Sequence, residues 1–118
     1  MYTQQNHRTK LESIFEEVRA DHYPDLPSRL EAIFICDSLS DLQNFHRTAE
    51  RTLDICYEVK LIDTDAPILK TDWDLAGLYE TDTTDVLHKK AHQYWQAKNI
   101  KRPEILTLSP VQIVKRLS

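Results

Sequence analysis

The chain has 118 residues, of which 41% are hydrophobic and 29% charged, and its formal net charge is −4. This balance predicts one soluble domain with an adequate core. The negative charge argues against a nucleic-acid partner, and no membrane span or signal peptide is evident, so we expect a cytoplasmic protein without membrane contact. A single glycine excludes the glycine-rich loops that cradle phosphates.

The first predicted element is a helix over residues 9–20. Thr9 and Glu12 have the spacing of a capping box at its start. An apolar stripe recurs at helical spacing, formed by Leu11, Ile14, Phe15 and Val18. The spacing predicts that this stripe faces the core.

A rigid hinge follows the first helix. Pro24 and Pro27 each fix their own φ and push the preceding residue toward an extended conformation. The hinge ends in Ser28 and Arg29, so these two polar side chains enter the next strand in a defined direction. They form either a binding site or a turn with a salt bridge.

Two strands and a helix are predicted next. Residues 30–36 are apolar on both faces, which is typical of a central strand. Ser38 then starts a helix that ends near residue 49, and residues 55–62 alternate as a half-buried strand does. Cys36 and Cys56 fall within these strands and match no metal spacing, so we expect buried thiols in a reducing compartment.

Residues 63–82 lose any regular pattern and are predicted to form a long, acidic, structured loop. Trp73 and Tyr79 are large apolar groups that a solvated loop does not need. They either cap the core, which is the more common role, or anchor a partner.

A third helix starts at residue 83 or 84 and ends near residue 98, and two short strands follow over residues 104–108 and 111–114. The inner face of this third helix is formed by Leu87, Ala91, Tyr94 and Trp95. The order of elements predicts an α+β domain with three helices and a mostly antiparallel, split sheet.

A metal site has little support in this sequence. His88 and His92 share a helix face, but lysines lie between them and no third ligand is evident. The glutamate that a zinc-protease motif places after its first histidine is also missing, since Lys89 stands there. We therefore expect a solvated helix face and no metal.

Arg29 and Glu104 each stand at the start of a predicted strand, beside or shortly after a proline. The two side chains are expected to meet across one open groove. A structural salt bridge is the simpler interpretation, and an exposed one contributes little. The alternative is a guanidinium that holds phosphate beside a carboxylate that stabilises positive charge on a sugar.

Four segments together resemble a bacterial family of unknown function that looks like an offshoot of the ADP-ribosyltransferase fold. They are FEEVRADHYPDLPSRLEAIF, YEVKL, AHQYW and PEILTLSPVQIV. The resemblance implies a split β-sandwich with a cleft for NAD, in which Glu104 supports an oxocarbenium-like transition state. It also implies that Ser28 and Arg29 orient ribose or phosphate.

The sequence departs from that fold at its beginning. The transferase fold normally begins with a strand whose histidine or arginine grips the dinucleotide, and MYTQQNHR is too short for that strand and its connection. A strand supplied by a second copy would make the protein a homodimer.

Two functions follow from these observations. The preferred one is a small cytosolic binding or regulatory protein that presents Trp73 and Tyr79 to a protein partner, as an inhibitor of a host or competitor system would. The alternative is a minimal NAD-dependent mono-ADP-ribosyltransferase with Glu104 as its catalytic carboxylate.

Overall fold

The computed structural model of the protein describes residues 4–48, 57–77 and 82–117. In these ranges the chain forms three α-helices: α1 (Gln4–His22), α2 (Leu39–Thr48) and α3 (Thr84–Gln96). It also forms five strands: β1 (Ile33–Ile35), β2 (Tyr57–Leu61), β3 (Ile68–Asp72), β4 (Pro103–Thr107) and β5 (Val111–Arg116). A 3-10 helix over Trp73–Ala76 follows β3 directly.

All pairings between the described strands are antiparallel, and they form two separate sheets. The larger sheet has the order β1-β4-β3, and the smaller one consists of β2 and β5. The chain passes from one sheet to the other between β4 and β5, where the buried Ser109 accepts a hydrogen bond from the amide of Asp63 at 2.9 Å. The predicted α+β class and the split antiparallel sheet are confirmed.

The core lies between the larger sheet and the pair of helices α1 and α3. Both predicted inner faces are confirmed, because all eight of their side chains are buried: Leu11, Ile14, Phe15, Val18, Leu87, Ala91, Tyr94 and Trp95. Leu106 of β4 is fully buried against them. The indole of Trp95 donates to the carbonyl of Phe15 at 2.9 Å, which fixes α3 on α1 and satisfies a buried donor.

Both ends of α3 have recognisable caps. At its start the hydroxyl of Thr83 accepts from the amide of Val86 at 3.3 Å. At its end Ala97 adopts a left-handed conformation with φ 55°, and its amide donates to the carbonyl of Gln93 at 3.1 Å. Glycine is the usual residue at such a position, so the chain carries a small local strain here.

Two predictions about the first half of the chain are wrong. The first helix begins at Gln4, so Thr9 lies inside α1 and is not its N-cap. Among the described strands, β1 lies at the edge of its sheet and not at its centre, because β4 is the one described strand that pairs with it. Its apolar residues remain partly in solvent, with Ile33 41% and Phe34 43% exposed.

The stretch predicted as one long loop is also more regular than expected. It contains the whole of β3 and the 3-10 helix that follows it. β3 pairs with β4 along its length, from Ile68 opposite Thr107 to Asp72 opposite Pro103.

None of the helices in the described part of the chain combines the length and apolar character that crossing a membrane requires. Cys36 is half-buried just after β1, and Cys56 lies outside the described residues.

Candidate functional site

The proline hinge is fastened to the end of α1 by one arginine. The guanidinium of Arg19 donates to the carbonyls of Pro24 at 3.2 Å and Leu26 at 3.0 Å. Its other nitrogens bond the carboxylate of Glu16 one turn earlier, at 2.6 and 3.0 Å. The hinge is therefore held by side-chain bonds as well as by the restricted dihedrals of its prolines.

Ser28 is buried and takes part in the same fastening. Its hydroxyl donates to Glu16 at 2.7 Å and accepts from the amide of Leu30 at 3.1 Å. The hydrogen bond from Arg19, with that from Ser28 in support, lowers the pKa of Glu16 below its usual value. Ser28 lies at the start of a turn, in which its carbonyl accepts from the amides of Glu31 and Ala32, and its hydroxyl is directed toward α1.

Arg29 is the centre of the polar cluster beneath the larger sheet. Its Nε and Nη2 bond the two carboxylate oxygens of Glu12 in α1, each at 3.0 Å. Its Nη1 donates to the hydroxyl of Tyr94 at 2.7 Å and to Oε1 of Glu104 at 3.0 Å. These contacts use four of the five guanidinium N–H groups, and the side chain is only 9% exposed.

An aromatic ring covers the guanidinium on the side of the sheet edge. The Cζ of Arg29 lies 5.0 Å from the ring centre of Phe34 in β1 and 5.2 Å from that of Tyr94. Both distances fall within the range of cation–π attraction. Phe34 is therefore positioned by a residue that is itself rigidly held.

Glu104 opens β4 and points to the helical side of the sheet, the same side as Leu106 two residues later. Its Oε1 accepts both from Arg29 and from the hydroxyl of Tyr94, the latter at 2.7 Å. No described residue donates to its Oε2, and the side chain is 11% exposed. Within the described part of the chain, only one of the two oxygens of Glu104 therefore receives hydrogen bonds.

The electrostatics of the cluster are dominated by burial. Burial raises the pKa of Glu104 above its usual value, although Tyr94 and Arg29 oppose the shift. Burial also raises the pKa of Tyr94. For Arg29 burial acts in the opposite direction, but its hydrogen bond to Glu12 and the surrounding negative charge leave its pKa raised. The raised pKa keeps Arg29 in its cationic form.

The sequence placed Arg29 and Glu104 together, and the structure brings them together, but not across an open groove. Two members of the cluster were missed as site residues. Glu12 had been assigned to a cap, and Tyr94 only to the core. The signal for Tyr94 was its hydroxyl on an otherwise apolar inner face, because a buried tyrosine hydroxyl usually needs a partner.

A family model described as "Protein of unknown function (DUF2441)" matches residues 1–118. The chain belongs to the DUF2441 family. The expected membership of a family of unknown function is confirmed by this match. No curated protein matches the sequence.

Trp73 of this DUF2441 protein starts the 3-10 helix and is half-buried. The guanidinium of Arg102 lies 5.4 Å from the centre of its ring, and the same arginine donates to Asp74 at 3.2 Å. One part of the indole is therefore packed while another reaches solvent. Tyr79, the second predicted partner contact, lies outside the described residues.

His92 of α3 contacts two residues at the end of α1 in this family member. Its Nδ1 lies 3.1 Å from the hydroxyl of Tyr23, and its ring lies 5.0 Å, centre to centre, from the ring of His22. Within residues 4–48, 57–77 and 82–117, no group of three or more potential ligands is arranged to hold a metal ion.

Proposed function

We propose that this protein is a small binding protein that contacts a protein partner through apolar side chains on its surface. One observation carries the proposal. The polar residues best suited to catalysis are bonded to one another in the interior, whereas several large apolar side chains lie on the outside.

The charge of the interior cluster supports this assignment. Arg29 already faces the carboxylates of Glu12 and Glu104, so a pyrophosphate would meet two negative groups for each positive one. It would also have to displace bidentate bonds in a site where water is largely excluded. Removing a partner from such a charge is costly, about 3–5 kcal/mol.

Large apolar side chains are exposed at two of the strands. Around β1, Leu30 is 66% exposed and Phe34 43% exposed. In β5, Ile113 is 60% and Val114 57% exposed. Single exposed apolar residues are ordinary on protein surfaces, but neighbouring ones on strands are typical of interaction sites. The prediction that Trp73 contacts the partner stays part of this proposal.

The experiment begins with the tagged full-length protein in a lysate of its source cells. A co-purifying protein is identified by mass spectrometry, purified and titrated back by calorimetry. We expect a defined stoichiometry with the wild type. Glu17→Gln serves as the matched control, because Glu17 is an exposed charged residue of α1 and not one of the exposed apolar side chains. Loss of binding in that control, or no saturable binding to any purified candidate, contradicts the proposal.

A second candidate is mono-ADP-ribosyl transfer, and Oε2 of Glu104, to which no described residue donates, favours it. That oxygen lies in a desolvated site beside a guanidinium and a tyrosine hydroxyl. In the reaction the bond between ribose C1′ and nicotinamide breaks, and its electron pair leaves with nicotinamide. A lone pair of the acceptor forms the new bond to C1′, and the acceptor's proton passes to solvent. An ionised Glu104 would stabilise the positive charge on the sugar.

Radiolabelled NAD separates the two candidates. Transfer of label to protein that is lost in Glu104→Gln, but retained in a variant of the exposed Glu17, supports the transferase. Circular dichroism of each variant verifies its fold. Absence of calorimetric binding at millimolar NAD excludes the transferase and leaves the binding protein.

A further inference from the structure

Two imidazole rings lie next to each other where the end of α1 meets α3. His22 is the last residue of α1 and is exposed, and His92 belongs to α3 and is half-buried. Their ring centres are 5.0 Å apart, and their planes are inclined by 58°, so the rings are not stacked face to face. Imidazole nitrogen is the donor that zinc, nickel and copper ions prefer among the oxygen and nitrogen groups of proteins.

The separation of the two rings suits one shared ion. Zinc binds an imidazole nitrogen at about 2.0–2.1 Å, which places the centre of the ring about 3.2 Å from the ion. Two such rings at a tetrahedral angle have centres about 5 Å apart. The rings of His22 and His92 already have this separation, and the exposed side chain of His22 is free to turn a nitrogen toward the ion.

His92 has the outer hydrogen bond that usually accompanies a metal-binding histidine. Its Nδ1 lies 3.1 Å from the hydroxyl of Tyr23, so this contact orients the ring and assigns an ion to Nε2. The side-chain amide of Gln96 donates to the same hydroxyl at 3.2 Å and holds Tyr23 in place. Such partners fix the orientation of a ligating imidazole and select which nitrogen binds the metal.

The end of α1 also favours a cation. The carbonyl end of a helix carries a partial negative charge, and His22 lies in the last turn of α1. Arg19 is the other basic residue of this turn, and its guanidinium is paired with the carboxylate of Glu16 at 2.6 Å. The pairing reduces the repulsion that Arg19 would exert on an ion bound to His22.

We propose that His22 and His92 together bind one divalent transition-metal ion of the zinc type, between the end of α1 and α3. The ion fastens the two helices to each other, and because it binds the folded chain it stabilises the fold. This site goes beyond the proposed function and does not depend on it, since neither histidine is one of the exposed apolar residues assigned to the partner.

Water completes the coordination of the ion. Structural zinc sites have four protein ligands and catalytic ones three, whereas this site has two. This number agrees with the absence of any three-ligand group within residues 4–48, 57–77 and 82–117. The expectation of no metal concerned His88 and His92, which share one helix, whereas the proposed pair joins two helices.

Calorimetric titration of zinc chloride into the full-length protein, without a histidine tag, tests the proposal. We expect one zinc ion per chain, tighter binding of Cu²⁺ and no binding of Mg²⁺, which prefers oxygen ligands. His22→Gln and His92→Gln should each weaken zinc binding about tenfold or more. Zinc should raise the thermal midpoint of the wild type and leave that of both variants unchanged.

Two further variants separate this site from its alternatives. His88→Gln removes an imidazole one turn before His92 and should leave zinc affinity unchanged. Tyr23→Phe keeps both ligands and the ring but removes the outer hydrogen bond, so it should weaken zinc binding about tenfold. Absence of zinc binding, unchanged affinity in His22→Gln, equal losses in His88→Gln and His92→Gln, or equal affinity for Mg²⁺ and Zn²⁺ each overturn the proposal.

Discussion

Arg29 and Glu104 are 75 residues apart in sequence, and their side chains bond each other at 3.0 Å in the interior. Glu12 and Tyr94 complete the cluster, so one guanidinium ties together α1, the end of the hinge, α3 and β4. The two prolines can be understood from this relationship. They hold the backbone so that Arg29 enters the space between helices and sheet, where its partners are already placed.

Replacing Arg29 by methionine should strongly destabilise the protein. The change leaves Glu12 and Glu104 near each other without a cation, and removing one partner of a buried charge cluster costs about 3–5 kcal/mol in the free energy of unfolding. Arg29→Lys retains the charge but loses the two-pronged bond to Glu12, so its loss should be smaller. Urea unfolding followed by tryptophan fluorescence measures both.

Arg102 provides the control for this prediction. Its pair with Asp74 is exposed, with side-chain exposures of 46% and 40%, so Arg102→Met should change stability by less than about 1 kcal/mol. Equal losses for the two arginines would mean that burial of the Arg29 cluster contributes nothing.

The stability contributed by Glu104 should depend on pH in an unusual direction. Burial raises its pKa in the folded protein, so the folded state holds the proton more tightly than the unfolded chain does. The contribution is therefore fully present below the unfolded pKa and is lost as the pH rises through the folded one. The difference in unfolding free energy between the wild type and Glu104→Gln should shrink from pH 4 toward neutrality.

Glu16 gives the opposite dependence and serves as the comparison. The hydrogen bond from Arg19 lowers the pKa of Glu16, so its contribution is present above the unfolded pKa and is lost as the pH falls through the folded one. Urea unfolding of Glu104→Gln and Glu16→Gln over the same pH series should show slopes of opposite sign. Parallel slopes would contradict both assignments.

Ala97→Gly should stabilise the protein. Ala97 ends α3 at φ 55°, a conformation in which its Cβ is strained and glycine is not. The free energy released by removing this strain is larger than the entropic cost of glycine's greater freedom in the unfolded chain. We therefore expect the free energy of unfolding to rise by about 0.5–1 kcal/mol. A rise in the thermal midpoint, with unchanged circular dichroism, is the expected result. The same change at Ala20, inside α1, should lower the midpoint.

The helices α1 and α3 were predictable because each of them buries one face. The stripe that begins at Leu11 and the face that ends at Trp95 have the 3.6-residue period, and both are buried. β3 was missed because its pattern is reversed. Its apolar Ile68 is 49% exposed, whereas the polar Thr71 and Asp72 at its other end are buried.

Of the four residues in the cluster, the sequence predicted only the two that lie shortly after a proline. Prolines drew attention to the starts of two strands, and hence to Arg29 and Glu104. Glu12 gave no such signal, since a charged residue beside an apolar helical stripe is usually solvated. Whether a cluster is open or closed depends on how the helices pack over the sheet, and no local pattern encodes that. β1 was predicted to be a central strand because both of its faces carry apolar residues. Phe34 is one of these residues, and in the structure its ring lies against the guanidinium of Arg29 at the edge of the sheet.

Asp72 shows how a buried carboxylate can replace the apolar side chain that a strand end would normally bury. It is 5% exposed, and its oxygens accept from the amides of Asp74 at 3.0 Å and of Lys101 and Arg102 at 3.3 Å. It thereby caps the 3-10 helix and fastens the turn that leads into β4. Asp72→Ala would leave these amides without their acceptor, and we expect a loss of about 1–3 kcal/mol.

Asp72→Asn separates the geometry of this cap from its charge. With the amide oxygen in the place of Oδ1, Asp74 and Arg102 keep their acceptor, but the amide nitrogen in the place of Oδ2 cannot accept from Lys101, so the loss should be smaller than that of the alanine variant. Hydrogen exchange should then be accelerated at Lys101 and remain slow at Asp74 and Arg102. Uniform acceleration along the whole of β4 in Asp72→Asn would instead indicate that the negative charge, and not the individual bonds, holds this corner.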